Sequence, residues 1–141
     1  MPKQFHNPEP FKSAGRPYAA IVRAGEMVFL AGQLGVEFIN GQRTVVTPGK
    51  VEGQTAQIFR NMRSLLSDLG GTLDDICWIQ IFVTDMADRL PMDAVRRQFF
   101  REGNEPAATL IQVSGLALPG AVVEINALAV IETAARKAAA E

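Results

Sequence analysis

Near the C-terminus apolar positions recur with a period of two: Val123, Ile125, Ala127 and Ala129 fall on one side of a strand. Val122, Leu128 and Val130 fall on the other side, together with Glu124 and Asn126. A carboxylate in such a strand must find partners or face water, because an unpaired buried charge is costly. That second face therefore reads as a cavity lining or a subunit interface. Similar patterning predicts strands at Tyr18–Arg23 and Met27–Ala31, joined by an Ala24-Gly25-Glu26 turn, and at Ala107–Val113 and Ala121–Ile131. Gly32-Gln33 ends the apolar run of the second strand. Arg43–Val46 is a candidate short strand after an Asn40-Gly41 turn.

A helical period takes over at Thr55, Ile58, Met62, Leu65 and Leu69, predicting a helix over 51–69 that stops at Gly70-Gly71. Gln57, Arg60, Arg63 and Ser67 fall on its outer side. Ile76–Val83 is apolar except at Gln80 and reads as a central strand covered on both faces. Thr84–Asp88 is a turn. Pro91 suits the first turn of a second helix that buries Met92, Val95 and Phe99, exposes Arg96, Arg97 and Arg101, and breaks at Gly103–Pro106.

This order predicts an α+β domain over 17–132, with two helices packed on one face of a sheet. Residues 1–16 read as an extended, poorly packed segment, and 133–141 as a frayed helix or a disordered tail. The uncovered face is expected to carry Glu124, Asn126, Gln112 and Leu110, too mixed for a monomer core and too apolar for open water. A cyclic oligomer would turn it into a shared interior.

Composition narrows the function classes. The chain of 141 residues carries a net charge of -1, which gives no basic field for nucleic acid or an anionic membrane. Its apolar runs are strand-sized, short of the roughly 20 residues of a membrane span. The polar, proline-broken start does not read as a signal peptide. One cysteine excludes an internal disulfide and suits a reducing cytoplasm, and one histidine leaves no His/Cys zinc set within a chain. No phosphate-loop glycine pattern or nucleophile elbow occurs. The expectation is a cytoplasmic protein with no cofactor, no metal and a small-molecule ligand. Cys77 and Trp78 read as inert core and His6 as solvated. Glu124 reads either as a general base or water-positioner, or as a structural acid at an interface.

Pro17-Tyr18, Ala31-Gly32-Gln33, Gln54 with Asn61, Phe82–Met86, Met92-Asp93, Phe99-Phe100, Glu105-Pro106-Ala107 and Val123–Ala127, in this order and spacing, resemble the RidA/YjgF family of reactive-intermediate deaminases. The resemblance implies a chorismate-mutase-like fold, a homotrimer with ligand clefts between subunits, and cofactor-free hydrolysis of a small enamine or imine. It implies that Glu124 positions the hydrolytic water, that Tyr18 shapes the cleft, and that the Ala31-Gly32 backbone meets a developing oxyanion. It also places Asp93 and Arg96 where the family has asparagine and tyrosine, and Leu110 where a cysteine is common. Ala108 stands where the family's arginine clamps a substrate carboxylate. That departure points away from the usual 2-imino acids: either the substrate has no carboxylate there, or another cation, Arg96 or Arg16, holds it. Two other readings stay open, a non-catalytic metabolite-binding trimer and a ribonuclease or translation inhibitor. The net charge argues against the last.

Overall fold

The computed structural model describes residues 2–12 and 16–141. Its eight strands are β1 (Lys3–His6), β2 (Ile21–Ala24), β3 (Met27–Leu34), β4 (Val36–Ile39), β5 (Gln42–Val45), β6 (Ile76–Val83), β7 (Ala107–Gln112) and β8 (Val123–Val130). Six of them form one sheet in the order β1-β2-β3-β8-β6-β7, and β4 and β5 form a separate hairpin. All neighbours in the large sheet are antiparallel except β6 and β7. The parallel pair requires a crossover, which α2 (Arg89–Arg96) supplies.

The helix α1 (Val51–Ser67) forms where the 3.6-residue period predicted it and buries Thr55, Ile58, Met62 and Leu65, with Leu69 half-buried beyond its end. Gly70 takes φ 74, and the Gly71 amide donates to the Leu66 carbonyl at 2.9 Å, closing the last turn. Helix α2 follows the turn after β6 and buries Met92, while Val95 and Phe99 are half-buried. Ile58, Phe59, Met62 and Leu66 from α1 meet Ile21, Val28, Ile79, Ile81, Val123 and Ile125 from the sheet in one core. The expected alternation of β8 holds throughout: Val123, Ile125, Ala127 and Ala129 are buried, and Glu124, Asn126 and Leu128 are half-buried.

Several expectations are corrected. The N-terminal segment is extended as expected but not unattached: β1 pairs with β2 at the sheet edge and Phe11 joins the core. Strand β2 begins at Ile21 rather than Tyr18, and β3 continues through Gly32-Gln33. Of the two readings of the C-terminal tail the helical one holds, as a third helix α3 (Ala134–Ala140) with Thr133 accepting from the Arg136 amide as its cap. Strand β6 is covered on one face only. Ile79, Ile81 and Val83 are buried under the helices, while Trp78, at 37% exposure, is not. Cys77 is exposed as well: Ile76 pairs with Ala129 and Trp78 with Leu128, so Cys77 is the extra residue of a bulge. Its thiol donates to the Leu128 carbonyl at 3.3 Å.

Leu110 and Gln112 also lie on the other side from the one expected. They pair in register with Ile81 and Val83, which face the helices, and Leu110 packs against the main core. The open face instead carries a row across all six strands: Phe5, Val22, Phe29, Leu128, Trp78 and Ala107. Gln80 and Asn126 form a polar pair beside that row, 3.5 Å apart.

One buried amide holds these parts in register. Gln54 on α1 has no exposed surface; its Nε2 donates to the Gly120 carbonyl at 2.8 Å and the Thr47 carbonyl at 3.2 Å. Its Oε1 accepts from the Val122 amide at 2.9 Å. Nearby, Asn61 donates to the Val36 carbonyl at 2.9 Å and anchors the β4–β5 hairpin. Replacing Gln54 by alanine leaves the Val122 amide without its partner and empties a fully buried side-chain site, so Gln54→Ala should cost about 3 kcal/mol, read from urea denaturation. Gln54→Glu should also destabilise, because a carboxylate can accept from Val122 but cannot donate to the two carbonyls.

Candidate functional site

Strand β3 carries a bulge where it meets β8. Leu30 pairs with Ala127 and Gln33 with Ile125, so Ala31 and Gly32 together stand opposite Asn126. The Gln33 side chain donates to the Ala31 carbonyl at 2.8 Å, satisfying a group that the bulge removes from the ladder. The bulge brings Gly32 against the Glu124 side chain: a methyl group on Gly32 would lie 2.9 Å from Oε2 and 3.1 Å from the carboxyl carbon. Glycine is required here for close approach, not for an unusual φ.

Around this contact gather Tyr18, Arg16 and Arg43. All three line a small pocket of about 30 Å³ together with Ala31 and Gly32. The Arg16 guanidinium lies 5.6 Å from the centre of the Tyr18 ring, within cation–π range. Arg43 comes from β5, where Arg43 and Val45 are half-buried and alternate with exposed Gln42 and Thr44. The hairpin turn fixes that alternation: Asn40 and Gly41 both have positive φ, 51 and 77, the geometry of a two-residue turn. Glu124 is half-buried, and its pKa is raised above the ordinary 4.5 by burial, an effect the nearby Arg43 charge partly opposes.

The other sequence-derived candidates lie elsewhere. Ala108 faces a larger cleft of about 570 Å³ between α2 and the β7 edge, floored by Ile79, Phe100 and Pro106 and flanked by Arg96 and Arg97. Leu110 lies on the same side of the sheet. Asp93 is not in the first turn of α2 as expected but in its second half, where it meets Arg96 Nε at 2.9 Å without hydrogen-bond alignment. The structure thus separates the candidates into two groups. Glu124, Gly32, Ala31 and Tyr18 gather at the bulge, while Ala108, Leu110, Asp93 and Arg96 gather at the α2–β7 edge. The edge cleft is the roomier one, while the half-buried acid with the raised pKa is at the bulge.

Sequence reasoning missed Arg43 and Arg97. Arg43 was findable: the Asn40-Gly41 turn sets which hairpin residues point inward, and Arg43 shares that parity with Val45. Among the described residues no group of three or more His, Cys, Asp or Glu side chains is placed to hold a metal ion. Nor, among the described residues, is any helix long and apolar enough to cross a membrane.

The family model described as Endoribonuclease L-PSP matches residues 9–131. The chain is 33% identical to 3-aminoacrylate deaminase RutC of Acinetobacter baylyi over 129 residues, 92% of this chain and 98% of that protein. Its fold is similar to the Rid-family protein YyfA of Yersinia pestis, with a TM-score of 0.83 and 26% identity over 92% of this chain and 100% of that one. RidA from an Antarctic Psychrobacter is similar with a TM-score of 0.74 and 28% identity, over 84% and 92% of the two chains.

The raised pKa of Glu124 has a thermodynamic consequence. The folded chain holds this proton more tightly than the unfolded chain, so the group's contribution to stability is fully present below the unfolded pKa. It is lost as pH rises through the folded pKa, which lies above 4.5. Glu124→Gln should flatten that part of the stability curve, as measured by urea denaturation across about pH 4 to 8.

Proposed function

The chain belongs to the Endoribonuclease L-PSP family, the RidA/YjgF proteins, and from that premise we propose that it hydrolyses a small reactive enamine or imine in clefts between the subunits of a homotrimer. The observation that carries this reading is the half-buried Glu124 carboxyl seated on Gly32 at the uncovered face of the sheet. Burial favours the protonated form, which suits an acid that must first give a proton and then recover one.

The steps balance with water as the only co-reactant. Protonated Glu124 delivers its proton to the enamine carbon, and the C=C–N unit becomes an iminium. The resulting carboxylate takes a proton from water as the water oxygen bonds to the iminium carbon. Proton transfer to nitrogen and loss of the C–N bond then release ammonia and a carbonyl product. The Ala31-Gly32 backbone meets the developing oxygen, and the Tyr18 hydroxyl borders it. A chain 33% identical that is named 3-aminoacrylate deaminase supports this reading, with a substrate whose nitrogen sits at carbon 3. With Ala108 at the edge cleft, the substrate is not expected to be one of the usual 2-imino acids.

Two features support the trimer. The open sheet face exposes Phe29 at 44% and Phe5 at 62%, and it continues through Trp78, an apolar row unusual for a surface left to water. The candidate residues also form two half-sites on different parts of one chain. In the trimer reading, the α2–β7 edge of one subunit, with Ala108, Leu110, Asp93 and Arg96, completes the Glu124 pocket of its neighbour. The absence of an arginine at 108 favours a second reading, a trimer that binds a metabolite without turning it over.

Two variants test the chemistry. Glu124→Gln should lower kcat for hydrolysis of 3-aminoacrylate by about 100-fold or more, followed by ammonia release. Wild-type rates in that variant would remove the mechanism and leave the binding-only reading. Gly32→Ala displaces the flexible end of Glu124 rather than the backbone, so it should leave stability within about 1 kcal/mol while lowering kcat at least about tenfold.

A further inference from the structure

We propose that Arg43 is the anchor for a carboxylate on the ligand, held in the small pocket that Arg43 lines beside Gly32 and the Glu124 carboxyl. This rests on the reading of that pocket as the reaction site, and it assigns the hairpin β4–β5 a role in specificity.

Most guanidinium groups of the chain already hold a partner. Arg23 donates to the Gly25 and Ile131 carbonyls, both at 2.8 Å. Arg96 pairs with Asp93, Arg101 with Asp74 and Arg136 with Glu26. Arg16 covers the Tyr18 ring and Arg63 the Phe99 ring. Arg60, Arg89 and Arg97 are exposed and remain hydrated. Among the described residues Arg43 differs from all of these: it is half-buried, and its guanidinium makes no hydrogen bond, ion pair or ring contact.

A half-buried guanidinium that has shed part of its water gains most from a planar anion that accepts two of its N–H groups. The pocket it lines is small, about 30 Å³, room for one carboxylate-sized group and not for a whole ligand. The rest of the ligand must then project past Gly32 and the Glu124 carboxyl, over the open face. This orientation also suits the chemistry. Arg43 alone lowers the Glu124 pKa. An anion that neutralises Arg43 removes that effect and adds a negative charge, so ligand binding itself favours the protonated acid that the first step uses.

Binding of propanoate and of uncharged propanamide, measured by NMR titration, separates this role from turnover. Wild type should bind propanoate at least about tenfold more tightly than propanamide. Arg43→Gln should abolish that preference and leave propanamide binding unchanged, while Arg43→Lys should keep part of it. Arg60→Gln, on the outer side of α1, should change neither. For 3-aminoacrylate, Arg43→Gln should raise KM about tenfold with kcat changed far less. No preference for propanoate in the wild type, or equal weakening of both ligands in Arg43→Gln, would overturn the proposal. An arginine-dependent propanoate preference without any turnover would instead reject the hydrolytic reading and retain the anchor.

Discussion

A single buried amide fixes where the acid of this protein points. Gln54 ties the loop before α1, the turn at Gly120 and the start of β8 to one side chain, and Val122 is only two residues from Glu124. In a strand the faces alternate residue by residue, so a slip of one position would turn Glu124 into the core and Ile125 outward. The amide opposes that slip because a displaced β8 would take the Val122 amide away from an acceptor that is itself fully buried. The packing of Val123, Ile125, Ala127 and Ala129 under α1 then reinforces a register that the amide has already chosen.

With that register set, the sheet has two unlike faces, and its two bulges shape the outer one. At Ala31-Gly32 the extra residue brings a backbone without a side chain against the Glu124 carboxyl. At Cys77 the extra residue leaves two consecutive side chains, Cys77 and Trp78, outside the core. Between them the polar pair of Gln80 and Asn126 interrupts an otherwise apolar surface. The half-buried acid and the exposed apolar row are therefore built on the same strands.

Much of this was legible in the residues. The alternation of β8 needs only the period of two, and α1 announces itself by spacing and by its glycine stop, because both signals are local. The failures share a cause as well. The apolar run of β6 gave no clue that one of its faces is uncovered, since Trp78 and Phe82 look like core until the helices are counted against the area of the sheet. The side on which Ala108 and Leu110 lie depends on their parallel pairing with Ile79 and Ile81, a non-local fact. Strand β1 was hidden by flanking prolines and few apolar residues; its only support is the neighbour β2. Arg43 was placed on a candidate strand but not at a site, because its meaning comes from a hairpin folding back on a distant bulge.

The contact between Gly32 and Glu124 links two positions 92 residues apart in sequence order (124 less 32) into one unit of evolutionary change. A chain that acquires any side chain at 32 loses the space its acid occupies, and must shorten that acid or aim it elsewhere. A chain that shortens the acid first gives up its reach but frees position 32 to vary. Divergence at this site therefore has an order, and the pair of residues at 32 and 124 reads as a joint record of whether a relative has kept, moved or abandoned the carboxyl in its pocket.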